Sequence, residues 1–220
     1  MPGRFLPPDV EAAYHLLTAP GLARRTEPAL AAGRFDWPAL SAIAADLPDH
    51  ARVLVATAFE LCEPGRAVAL WEIPAVLDAA GMERAVEALC ICHGGVVTPP
   101  DPRRVAPFGR SAEHAAVAHV LASPRLADRV GPHLHPDGFD WSGLLAAAQT
   151  MSRAQRLLVD IAHDLWTRGD AVGVREVARS LDSGSFVRAV EALLACRRAF
   201  ELPGRSVRRA ARSRPLAATG

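Results

Sequence analysis

Apolar residues recur along much of the chain at the spacing of one helical face. Between 152 and 166 the positions Leu157, Leu158, Ile161, Ala162, Leu165 and Trp166 form such a stripe, which predicts an amphipathic helix packed on a core. Ser152 and Gln155, at capping-box spacing, start it. Ser111 is placed to cap an earlier helix that runs toward Ser123-Pro124, and Pro124 to open the next as a first-turn proline. The stretch GPHLHPDG (131–138) reads as a loop leading to Asp140, the cap of a helix over 141–150. After the turn TRGD (167–170), Ala171-Val172-Gly173-Val174 reads as a short extended run. A helix over 175–181 follows, and Asp182 caps a last helix that buries Phe186, Val190, Leu193 and Leu194.

The same pattern occurs earlier in the chain. Shifted by 104 positions, residues 13–95 align without a gap on residues 117–199, and 32 of the 83 pairs are identical. The clearest matches are Phe35-Asp36-Trp37 with Phe139-Asp140-Trp141 and RAVEAL at 84–89 with RAVEAL at 188–193. The stretch TPPDPRRVAPFGR between them has four prolines and few apolar residues, as a linker does. The period is too long for a solenoid. The expectation is therefore an all-α fold of two tandem homologous helical modules, about five to six helices each, over residues 1–97 and 111–200. A Pro/Arg-rich linker at 98–110 joins them and a basic tail at 201–220 follows.

Composition supports helices over strands. Alanine fills 43 of 220 positions and aromatic residues only 5%. All 25 basic residues are arginine, a bias better assigned to codon usage than to chemistry. The start MPGRFLPPDV lacks the pattern of a signal peptide, and no run of about 18 apolar residues occurs, so the reading is cytoplasmic with no membrane partner. Four unevenly placed cysteines suggest reduced thiols.

Internal alignment also tests candidate chemistry, because a catalytic or metal residue needs specific atoms whereas a core residue needs volume. Cys62, Cys90, Cys92 and His93 have the types of a zinc site, yet Cys62 aligns with Trp166 and Cys90 with Leu194, so buried thiols are expected and no metal. His133 and His135 align with alanines. His15 and His119 align with each other near a helix end and read as structural. No nucleophile elbow, phosphate loop or zinc-protease helix occurs. The chain is read as non-enzymatic, with no catalytic residue and no cofactor. Shared charges such as Asp36/Asp140 and Asp78/Asp182 read as helix caps, and Trp37 and Trp141 as core anchors.

Within each module the order of helix, short extended run, helix, turn and longer helix, most plainly over 152–198, resembles a winged helix-turn-helix, in which the third helix reads the major groove. The resemblance implies a wing over 199–209, turning at Pro203-Gly204. Charge points elsewhere for most of the chain: residues 1–98 carry a net −5, residues 113–200 are balanced, and residues 201–220 carry +4. The expected function is that of a protein-interaction or scaffold protein. Trp71 and Arg175 are aligned but unlike, and are the expected partner-binding residues. The alternative is nucleic-acid binding through residues 175–214, with Arg205, Arg208, Arg209, Arg212 and Arg214 contacting phosphates.

Overall fold

The computed structural model describes residues 6–31, 34–95, 99–135 and 137–201. The described residues are 67% helix, 3-10 turns included, with twelve α-helices among them. The first half contains α1 (Pro8–Leu17), α2 (Ala23–Thr26), strands β1 (Leu30–Ala31) and β2 (Arg34–Phe35), then α3 (Trp37–Ala45), α4 (Asp49–Cys62), α5 (Glu72–Val76) and α6 (Ala79–Cys92). The second contains α7 (Ala112–Leu121), α8 (Ala127–Val130), β3 (Leu134–His135), β4 (Gly138–Phe139), α9 (Trp141–Ala148), α10 (Arg153–Thr167), α11 (Val174–Ser180) and α12 (Ser183–Glu201). A single 3-10 turn at Pro102–Arg104 lies between them.

Side-chain caps set many of the helix starts by accepting backbone N–H groups that the first turn leaves without partners. The acceptor is Asp36 for Ala39, Ser111 for His114, Asp140 for Gly143 and Asp182 for Ser185. Ser152 and Gln155 make both bonds of the capping box. A Cβ at Gly143 would lie 2.2 Å from the Asp140 carboxylate and 2.3 Å from the His133 ring, so glycine leaves room for the pair these two make, whereas the Asp36 cap, with no such histidine, accepts from Ala39. The Gly143 N–H, helped by His133, holds the Asp140 carboxyl below its ordinary range.

Three local expectations are corrected. Pro124 lies in a turn, and α8 begins only at Ala127. The loop 131–138 carries an antiparallel ladder pairing Leu134 with Phe139, as Leu30 pairs with Phe35. The short run is extended at Gly173 as expected, and α11 begins one residue sooner, at Val174. Helix α12 runs to Glu201, so the start of the expected wing is helical; residues 202–209 lie outside the described residues.

Helix α1 lies across α4 and α6, and α7 across α10 and α12. The two halves meet reciprocally: α5 packs on α12 while α11 packs on α4 and α6. One continuous cluster of buried apolar side chains, including Leu16, Leu54, Leu89, Leu121, Leu158 and Leu193, runs through both. From Ser185 to Arg197 no residue of α12 is exposed. No helix among the described residues is long and apolar enough to cross a membrane.

Candidate interaction site

Two buried carboxylates hold the loops before α5 and α11, and the first of them bonds across the seam between the halves. Glu60, on α4 and fully buried, accepts hydrogen bonds from the backbone N–H of Ala67, Val68 and Val174. Its carboxyl thus ties a loop of its own half to the start of α11. Asp164 stands 104 residues later on α10, is equally buried, and accepts from the N–H of Val172. Burial pushes both carboxyls above the ordinary carboxylate range, against the pull of these donors. Gly173 is required at the seam, since a Cβ there would stand 2.7 Å from the Glu60 carboxylate. Arg66 donates to the carbonyl of Asp170, closing the loops on each other.

Trp71 and Arg175 both lie at this seam. Arg175 donates to the Cys62 carbonyl at 3.1 Å and approaches Asp9 to 4.0 Å. Trp71 is half-buried against the core, with the Arg168 guanidinium 5.8 Å from its ring centroid. Each residue therefore meets the opposite half of its own chain. An open cleft of about 490 Å³ lies along the seam, lined by Glu60, Arg66, Arg153, Arg175, Glu176 and Arg179 among others. Its charges are engaged: Arg153 meets Glu176 at 3.6 Å and Arg179 meets Asp9 at 3.3 Å. Neither histidine nor cysteine is among the described lining residues.

A second site was not assembled from the sequence. In the second half Phe108, His114, Phe139, Trp141, His163 and Trp166 form a continuous set of ring contacts. Trp166 meets Phe139 edge-on at 5.1 Å and His114 at 5.2 Å, and His114 meets Phe139 at 4.6 Å. Trp166 is 38% exposed. Among the described residues the first half keeps Phe35, Trp37 and Phe59 in contact, and there the Trp37 indole donates to Glu63. In the second half Trp141 Nε1 and His114 Nε2 are buried with no partner among the described residues. The unlike pairs Phe59/His163 and Cys62/Trp166 were visible in sequence; that they converge with residues from the linker, α7 and β4 was not.

His133 pairs with the capping Asp140 at 2.9 Å. Cys92 and Cys196 are buried, and Cys62 and Cys90 are half-buried. Burial pushes the thiols of Cys62 and Cys196 up to about 12, which keeps them protonated. No group of three or more metal-binding side chains is clustered among the described residues. Arg205, Arg208, Arg209, Arg212 and Arg214 lie outside the described residues. No protein-family model, curated protein or solved structure matches the chain.

Proposed function

We propose that this is a non-enzymatic protein-interaction or scaffold protein, built by tandem duplication and acting in the cytoplasm. The recurrence of the elements of residues 8–92 over residues 112–201 in the same order supports the duplication. The aromatic face around Trp166 carries the functional reading. Aromatic side chains dominate binding hot spots because they bury much area with few rotors to freeze. Of the four rings inside the aligned stretch, His163 and Trp166 replace a phenylalanine and a cysteine of the first half, so the shared fold does not demand them. Trp71 and Arg175, at the seam, would extend the contact where a partner spans both halves.

The alternative, a winged-helix nucleic-acid-binding protein using residues 175–214, has less support. A recognition helix needs a free face to enter a groove, and α12 has no exposed residue from Ser185 to Arg197. Phosphate contacts by the tail arginines would give binding that ignores sequence and weakens with salt. A titration of duplex DNA by the full chain and by a chain ending at Gly204 separates the readings. The expected result is no binding by the shorter chain near physiological salt. Sequence-specific binding by both chains would overturn the protein-interaction reading.

A further inference from the structure

In each half the first and last helices share one side-chain cluster. On α7 and α12, His119 Nε2 lies 2.9 Å from Glu191 Oε2, and Arg188 Nη1 donates to the His119 carbonyl at 2.7 Å. On α1 and α6, His15 Nε2 lies 2.7 Å from Glu87 Oε2, and Arg84 Nη1 is 3.1 Å from the His15 ring nitrogens. The clusters differ in what covers them. Over Glu191 lies the linker segment Asp101–Arg104: the Asp101 N–H and the Arg104 guanidinium both reach Glu191 Oε1 at 3.2 Å. The Glu191 side chain is consequently only 4% exposed. The Glu87 side chain is 49% exposed.

Charge sharpens the difference. Glu11 stands one turn before His15 and Glu83 one turn before Glu87, and both are exposed. The aligned positions in the second half hold Ala115 and Val187. The apolar floor also matches: Ala195, beside Glu191 and buried, aligns with the half-buried Ile91. The α1/α6 face thus keeps the carboxylate that receives the linker in the other half, adds two more, and leaves an apolar step beside them.

We infer that the α1/α6 face around Glu87 is a docking site for an arginine-bearing peptide segment of a partner, folded in the 3-10 turn that Pro102–Arg104 adopts and held as Asp101–Arg104 is held on Glu191. The guanidinium takes the free side of the Glu87 carboxylate, a backbone N–H three residues earlier shares it, and the intervening proline presets the first position of the turn that brings the two together. This rests on the equivalence of the two halves proposed above and not on the aromatic face.

The test uses a labelled peptide of residues 99–107, PPDPRRVAP, titrated against the full chain by fluorescence polarisation. Saturable binding is expected, weakened about tenfold or more by Glu87→Gln, because a charge-assisted bond is replaced by a neutral one. A peptide with alanine in place of Arg104 should lose a similar factor against the unaltered chain, which keeps the test valid if the Glu87 variant folds poorly. Added salt should weaken the complex. Trp166→Ala should leave it unchanged, so failure of the aromatic face and failure of this site are read separately. Absence of saturable binding at millimolar peptide, or equal binding by Glu87→Gln, would overturn the inference.

Discussion

Glu60→Ala should damage the protein more than its charge suggests. The carboxylate is fully buried and accepts three backbone N–H groups, from Ala67 at 2.9 Å, Val68 at 3.1 Å and Val174. An orphaned buried donor costs about 1–3 kcal/mol. Against that stands relief from burying a carboxylate, visible in its raised pKa. The net expectation is a loss of about 3 kcal/mol in urea unfolding followed by circular dichroism. Glu60→Gln isolates the proton. Because the folded-state pKa lies above the unfolded value, the stabilising effect of protonated Glu60 is fully present below the unfolded pKa. It is lost as pH rises through the folded one. The advantage of the native chain over Glu60→Gln should therefore shrink from acid pH toward neutrality, other groups cancelling in the difference. A loss below about 1 kcal/mol for Glu60→Ala would refute the three-donor account. So would an advantage over Glu60→Gln that grows with pH.

Other outcomes follow from the packing and the site chemistry. Leu158 is fully buried on α10, so Leu158→Ala should cost about 2–5 kcal/mol by the same unfolding assay, and less than about 1 would remove it from the core. Burial holds the His119 imidazole below its ordinary range despite the bond to Glu191; NMR titration should place it under about 6.5, and stability contributed by neutral His119 should fall as pH drops below the unfolded value. Cys62 and Cys196 should react with an aromatic disulfide reagent far more slowly in the native chain than in urea, since burial keeps both protonated; native rates equal to unfolded ones would contradict the packing.

Much of the helical framework was legible because its signals are local. Ser111, Asp140 and Asp182 bond within three residues of themselves, and Ser152 with Gln155 forms the capping box that their spacing implies. The two-residue ladders were not legible, since a strand of that length has no alternation to read. The extended run at 171–174 was legible up to Gly173, where α11 takes over. Its N–H groups look for acceptors as a strand's would, but Asp164 and Glu60 provide them, one from each half. Those carboxylates escaped notice because identity was the criterion and the pair is Glu against Asp; matching by charge would have found them. The aromatic face escaped because its rings come from separated segments, and only folding brings Phe108, His114, Phe139 and Trp166 together.

The central claim is that the face around Trp166 holds a protein partner. The full chain and Trp166→Ala, checked for equal folding by circular dichroism, are each used to capture partners from native extract, with bound protein and nucleic acid quantified together. The account predicts a discrete protein retained by the native chain and lost with Trp166→Ala, with no enrichment of nucleic acid. Equal capture by both chains, or nucleic acid as the main species retained, would contradict it.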